Sequence, residues 1–124
     1  MRLLLDTNVL LWWLESSDRL SKRARQAIAE ADEVCVSPAS VWELGIKSAL
    51  GKLKTPDDID FQIQANRFRE LPITVAHAVA AGRLPRHHND PFDRMLIAQA
   101  GLESLTLLTS DARLNLYDAK VMLA

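Results

Sequence analysis

Short apolar runs without alternating polar residues are the feature that most limits how this chain can fold. Leu3–Leu5 is stopped by Asp6, and a second run at 34–36 is stopped by Ser37. Strands that are buried on both faces of a sheet have this pattern, whereas strands with one wet face alternate apolar and polar residues. Segments with helical patterns separate the runs. We therefore expect an α/β fold in three layers, with a central parallel sheet of four to five strands flanked by helices.

Capping residues and breakers set the bounds of the predicted elements. The first helix, around Val9 to Leu14, should be capped by Thr7 or Asn8, and Ser37-Pro38 should open a helix that stops at Gly51. A polar loop covers 85–89. The predicted strands are 3–5, 33–37, 70–73, 106–109 and, at an edge, 120–123. The other predicted helices are 21–31, a helix that follows a capping signal at 55–58 and reaches about 67, and then 74–84 and 91–102.

The length, charge and cysteine content of the chain limit the classes of protein to which it can belong. A chain of 124 residues, 48% of them apolar, is expected to form one domain over 1–124. Its 15 basic and 16 acidic residues nearly cancel, so any RNA contact must be local. Cys35 is the only cysteine, which excludes an intrachain disulfide. The three leucines before Asp6 are too few for a signal peptide or a membrane span, so we expect a cytoplasmic protein with no membrane contact.

Four acids are predicted to meet at one edge of the sheet. Asp6 and Asp111 follow predicted strands, and Glu43 and Asp93 lie in the first turns of predicted helices. Open α/β sheets bind ligands beyond the carboxyl ends of their strands. Carboxylates brought together there repel one another unless a cation neutralises them, and an all-oxygen ligand set selects Mg²⁺ or Mn²⁺. Such a site suits hydrolysis of a phosphodiester.

Each acid also has a purely structural interpretation. Asp6 and Asp111 could cap the segments that follow them, and Glu43 could pair with Lys47 on an exposed helix face. Asp90 and Asp93 compete for one role, because Pro91 makes Asp90 the N-cap of the late helix. We expect Asp90 to cap that helix and Asp93 to bind the ion.

Four segments together resemble the PIN-domain family, most closely the VapC-type toxins of bacterial toxin–antitoxin pairs. They are LLLDTNVLLWW ending at Trp13, SVWE ending at Glu43, DPFDRMLIAQA beginning at Asp90, and LLTSD ending at Asp111. The resemblance covers essentially the whole chain. It implies a metal-dependent endoribonuclease, a homodimer and an inhibitory antitoxin partner. It also implies Asp6, Glu43, Asp93 and Asp111 as ligands of Mg²⁺ or Mn²⁺, with support from Thr7, Asn8, Ser110 and Asp90.

Local cations are the candidates for RNA contact in a nearly neutral chain. We predict Lys47, Arg86 and Arg94, with Lys52, Lys54, His87 and His88 as further candidates. A zinc site at the adjacent histidines is disfavoured, because neighbouring side chains point apart and no second ligand pair follows. Trp12 and Trp13 could stack on bases, but core or interface packing is the commoner role of such a run. The apolar surface of the early helices is expected to meet an antitoxin segment or a second protomer.

Two alternatives remain at the level of sequence. One is a phosphoryl-transfer enzyme or receiver-like domain, although Asn8 stands where a haloacid-dehalogenase-like phosphatase needs a second aspartate. The other is a non-catalytic PIN-like binding module whose acids only cap helices. A divalent ion that binds the native state alone would raise the melting temperature and so exclude the second alternative.

Overall fold

A five-stranded, wholly parallel sheet lies at the centre of the computed structural model, which describes all residues from 1 to 124. The strand order is β3-β2-β1-β4-β5, so β1 is central and the chain moves outward in both directions. The ladders pair Leu4 with Cys35 on one side and with Leu107 on the other. The strands are β1 (Arg2–Leu5), β2 (Glu33–Val36), β3 (Arg69–Glu70), β4 (Thr106–Thr109) and β5 (Val121–Leu123).

Six α-helices and one 3₁₀ helix connect the strands. Ser21, Ser37 and Thr74 cap their helices with side-chain oxygens, as their positions predict. Gly51, just beyond the third helix, has a φ of +73°, which suits glycine. The helices are α1 (Thr7–Leu14), α2 (Lys22–Glu30), α3 (Pro38–Ala49), α4 (Ile59–Ala65), α5 (Val75–Arg83) and α6 (Pro91–Glu103), with the 3₁₀ helix at Ala112–Leu116.

Successive residues of the central strand serve two apolar cores. Leu3 and Leu5 belong to the cluster on one face of the sheet, and Leu4 belongs to the cluster on the other. All three are fully buried. Full burial of one such side chain stabilises the fold by about 1.5–3 kcal/mol, so both faces need apolar residues. This explains the unbroken runs and confirms the three-layer α/β fold.

Three local predictions were wrong. The cap of α1 is Asp6, whose side chain accepts from the Val9 N–H, and neither Thr7 nor Asn8. The third strand is Arg69–Glu70 and not 70–73, because the ladder ends at the Leu71 N–H and the next residue, Pro72, has no N–H. The fourth helix begins at Ile59, directly after the signal at 55–58, but Thr55 does not cap it, since its hydroxyl donates to the Leu44 carbonyl.

The paired tryptophans pack against the core. Trp12 and Trp13 lie partly buried on the cluster that contains Leu3 and Leu5. The Trp13 indole donates to the side-chain oxygen of Asn66 at 3.0 Å. The core interpretation of this run is therefore favoured over base stacking. None of the helices combines the length and apolarity that crossing a bilayer requires.

Candidate metal centre

One pocket of about 190 Å³ collects the predicted acids at the carboxyl edge of the sheet. It lies where β1 and β4 end and α6 begins, and none of its lining residues is hydrophobic. All four predicted ligands and all four predicted supporting residues line it. The lining residues are Asp6, Thr7, Asn8, Glu43, Lys47, Asp90, Asp93, Ser110, Asp111 and Arg113.

Asp6 has its carboxylate fixed by three donors. Oδ1 accepts from the Val9 N–H at 2.8 Å, and Oδ2 accepts from the Thr109 hydroxyl at 2.5 Å and the Ser110 N–H at 3.1 Å. Burial raises the pKa of Asp6, although these three hydrogen bonds oppose the rise. Asp6 therefore caps α1 and also presents a fixed carboxylate to the pocket, so the two interpretations of this residue are compatible.

Thr109, which the sequence did not single out, connects two of the acids. Its hydroxyl donates to Asp6 and accepts from the Asp111 N–H at 3.0 Å. The side chain is fully buried at the end of β4. A strand-end threonine beside Asp111 was the available signal, but only the pairing of β1 with β4 places it next to Asp6.

Glu43 is buried and held at both carboxylate oxygens. The Thr7 hydroxyl donates to Oε1 at 2.5 Å, and the Lys47 ammonium lies 2.8 Å from Oε2. The predicted pair with Lys47 is thus present, but Glu43 is buried in it and only Lys47 is partly exposed. The hydrogen bond to Glu43 raises the pKa of Lys47. Lys47 remains a candidate for RNA contact because it lines the same pocket as the acids.

Asp90 and Asp93 separate as their positions predict. Asp90 Oδ1 accepts from the Phe92 and Asp93 N–H groups at 2.8 and 3.2 Å, so it caps α6. Burial raises the pKa of Asp93 to about 7, and the negative charges of neighbouring acids add to the rise. Those neighbours are Asp90, Asp6, Glu43 and Asp111. The carboxylates drawn from distant parts of the chain therefore act on one another.

Asp111 is partly neutralised by an arginine that sequence reasoning missed. The Arg113 guanidinium donates to both of its oxygens, from Nε at 3.0 and 3.2 Å and from Nη2 at 2.7 Å. This pairing holds the pKa of Asp111 below its usual range. Asp111 also caps the 3₁₀ helix through the Arg113 N–H at 3.0 Å. The sequence feature that could have identified Arg113 is its position two residues after an expected ligand, inside the turn that Asp111 was predicted to cap.

His88 is the third residue at the site that sequence reasoning missed, after Thr109 and Arg113. Its Nε2 lies 3.2 Å from Oδ2 of Asp93 and 3.2 Å from Oδ2 of Asp111. From the sequence, His88 is a candidate only for RNA contact and for a zinc pair with His87. The loop conformation that turns its ring toward the acids has no local sequence pattern.

Arg94 does not reach the site, which corrects one predicted RNA contact. Its guanidinium donates to four backbone carbonyls at 2.9 to 3.3 Å, those of Ala81, Leu84, Pro85 and His88. These bonds join the end of α5 to the loop before α6, so the residue is structural. Arg86 is exposed and does not line the pocket.

The donor set of the pocket fits a hard divalent cation. Five carboxylates and two cations line it, which leaves three uncompensated negative charges when all the acids are ionised. Carboxylate oxygens are the ligands that Mg²⁺ and Mn²⁺ prefer. A larger cavity of about 420 Å³ lies between α3 and α4, but it is mainly apolar and offers no such cluster.

Comparison with known proteins gives results at the levels of family and fold. A family model described as the PIN domain matches residues 3–120. The chain is 35% identical over 115 residues to Ribonuclease VapC22 of Mycobacterium tuberculosis (strain ATCC 25618 / H37Rv), an alignment that covers 90% of this chain and 88% of the relative.

Two solved structures illustrate the shared fold. VapBC2 from Rickettsia felis, bound to a DNA fragment from its promoter, has a TM-score of 0.74 at 15% identity and covers 99% of this chain and 98% of its own. A toxin–antitoxin complex from Klebsiella pneumoniae has a TM-score of 0.67 at 21% identity and covers 96% and 94%. At these identities the likeness is one of fold.

Proposed function

This chain belongs to the PIN-domain family, and on that premise we propose that it is a metal-dependent endoribonuclease, the toxin of a toxin–antitoxin pair. One observation carries the proposal: four carboxylates from distant parts of the chain line a single polar pocket. The 35% identity to a ribonuclease of the same family supports it. We further propose that residues 1–124 form one PIN domain that acts on RNA in the cytoplasm.

Asp6, Glu43, Asp93 and Asp111 would hold the ion, Mg²⁺ or Mn²⁺. Bound there, the ion would supply Lewis-acid polarisation of the phosphodiester and a more acidic water. The protein orients the ligands, since Thr109 and Ser110 hold Asp6, and Thr7 holds Glu43. Asn8 and Asp90 complete the polar wall of the pocket.

Lys47 and Arg113 are placed to receive the negative charge of RNA. Both line the pocket, and each pairs with a carboxylate that we assign to the ion. When an ion neutralises those carboxylates, the two cations can turn to the phosphate backbone, which supplies most of the affinity of proteins for nucleic acid. We therefore propose Lys47 and Arg113 as RNA contacts and no longer include Arg94.

An antitoxin and a second protomer are the proposed protein partners. Proteins of this fold have been solved as complexes described as VapBC or toxin–antitoxin assemblies. The chain leaves apolar side chains exposed around α3 and α4, among them Trp42 at 66% and Phe61 at 67%. Exposed apolar surface of this kind is typical of an interaction surface.

The non-catalytic alternative is weaker than the nuclease. Asp6, Asp90 and Asp111 do cap helices, as that alternative requires. However, Glu43 and Asp93 cap nothing, and both carboxyls face the same pocket. The receiver-like and phosphatase alternatives lose their basis because the chain is a PIN domain.

The test is cleavage of total RNA by the purified protein, with sequencing of the fragments. We expect Mg²⁺- or Mn²⁺-dependent fragments that disappear in EDTA and return when the ion is restored. Glu43→Gln is the matched variant, since it keeps the side-chain length and an acceptor for the Thr7 hydroxyl. Equal cleavage by wild type and Glu43→Gln, or undiminished cleavage in EDTA, would contradict the proposal.

A further inference from the structure

The ring of His88 lies between two carboxylates of the pocket. Its Nε2 is 3.2 Å from Oδ2 of Asp93 and 3.2 Å from Oδ2 of Asp111, and the side chain is buried. Two carboxylates this near a common point repel each other. A polar group between them either ligates the same ion as they do or donates a hydrogen bond to them.

The other ring nitrogen decides between these roles. His88 Nδ1 accepts from the Asp90 backbone N–H at 2.9 Å. A backbone N–H is always a donor, so Nδ1 must present its lone pair, and the proton of the neutral ring must be on Nε2. A nitrogen that carries a proton has no lone pair for a metal ion. Nε2–H therefore donates to Oδ2 of Asp111, and Oδ2 of Asp93 lies 3.2 Å from the same nitrogen.

The backbone around His88 keeps the ring in this orientation. The His88 carbonyl accepts from the Arg94 guanidinium at 3.3 Å and from the Tyr117 hydroxyl at 3.3 Å. Arg94 lies on α6, and Tyr117 follows the 3₁₀ helix. The loop is therefore attached to the elements that carry Asp93 and Asp111, and the donor moves with both.

We propose that His88 is a positioning residue, which holds the carboxylate of Asp111 beside that of Asp93 by donating from Nε2 to Asp111 and does not itself ligate the ion. This inference rests on the proposed function, because it concerns the same metal centre. Hydrogen-bond partners of metal ligands typically contribute about 10–100-fold to metal affinity. Removal of the donor should therefore weaken binding by that factor.

The experiment is a calorimetric Mg²⁺ titration of four proteins: wild type, His88→Leu, His88→Gln and Asn89→Ala. His88→Leu keeps the bulk but removes the donor, and we expect about 10–100-fold weaker Mg²⁺ binding. His88→Gln offers an amide N–H toward the position of Nε2 and should recover most of the loss. Asn89→Ala is the control, since Asn89 is exposed on the same loop, and it should bind like wild type.

A nitrogen-15 spectrum of the histidine rings in wild type gives a second readout. We expect His88 to carry its proton on Nε2 both before and after Mg²⁺ is added. Loss of that proton on addition of Mg²⁺ would make His88 a ligand and overturn the inference.

The outcomes separate this inference from the proposed function. If wild type binds neither Mg²⁺ nor, in a parallel titration, Mn²⁺, the proposed function fails and the role of His88 fails with it. If wild type binds Mg²⁺ and folded His88→Leu binds it equally well, only the inference about His88 is wrong. Should His88→Leu fail to fold, the wild-type spectrum and His88→Gln decide. Mg²⁺ binding by folded His88→Gln that is more than about 10-fold weaker than in wild type would then contradict the donor role.

Discussion

Asp93 titrates near neutral pH because burial and four negative neighbours raise its pKa to about 7. The ordinary value is 3.8, so between about pH 4 and 7 the folded protein holds a proton on this group that the unfolded chain has released. The contribution of Asp93 to the free energy of unfolding is therefore greatest at low pH. It is lost as the pH rises through 7. In the ion-free protein at neutral pH, Asp93 is a destabilising charge.

Asp93→Asn should accordingly stabilise the ion-free protein at pH 8. We expect a gain of about 1 kcal/mol or more in the free energy of unfolding, shrinking toward zero near pH 4, where Asp93 is protonated. Denaturant unfolding in EDTA at both pH values measures it. A variant less stable than wild type at pH 8 would show that the negative charge of Asp93 is satisfied by the protein alone.

Asp6 has a structural role besides its proposed role at the metal site, so substitution of Asp6 would disturb both. The sequence analysis placed it correctly at the end of β1 but assigned the helix cap to its neighbours. In the structure its oxygens accept from Val9, Thr109 and Ser110. An asparagine there would set its amide N–H groups against one of these donors. Asp93 is thus the better residue for testing the metal site without disturbing the fold.

At the scale of elements, Asp90 belongs to the start of α6. Asp90→Ala removes the acceptor for the Phe92 and Asp93 N–H groups, and we expect a loss of about 0.5–2 kcal/mol in the free energy of unfolding. Asp90→Ser keeps a capping oxygen and should retain most of the stability. Thermal unfolding of the two variants provides the comparison. Equal loss in both would mean that capping is not what Asp90 contributes.

Arg94 ties the loop at 85–89 to both of its flanking helices. Arg94→Lys keeps the charge but cannot reach four carbonyls with a planar fork, so we expect the loop to open more often. Hydrogen exchange of the Asp90 N–H, which donates to His88, should become faster, while the amides of β1 exchange as in wild type. Unchanged exchange at Asp90 would contradict this role for Arg94.

Elements with strong local signals were predictable, and elements set by tertiary contacts were not. The apolar runs gave β1, β2 and β4 to within a residue or two, and Ser37-Pro38 gave the start of α3. β3 is only two residues long and exists because it pairs with β2, so its bounds could not be read locally. The same holds within the site. Asp6 and Asp93 were predictable from their positions at a strand end and a helix start. His88 and Thr109 belong to the site only through contacts between distant segments.

For the whole molecule, the account predicts a toxic activity that depends on the acids. The net charge of −1 gives the protein no general attraction to RNA, so any harm to a cell should come from catalysis at the pocket. Expression of wild type alone should slow bacterial growth, and Glu43→Gln at the same protein level should relieve it. Equal growth inhibition by both would show that toxicity does not come from the metal centre.

The role of the carboxylates can be decided by the Mg²⁺-dependent cleavage rate of one defined RNA by wild type, Asp90→Ser and Asp93→Asn. Asp90 and Asp93 lie in the same turn at the start of α6, and both residues line the pocket. The account predicts that Asp90→Ser retains most of the activity, because a serine still caps α6. It predicts that Asp93→Asn folds, and that it loses Mg²⁺-dependent cleavage by about 100-fold or more, since a carboxylate of the metal centre is gone. Full activity in Asp93→Asn would contradict the claim that these carboxylates form the catalytic metal centre.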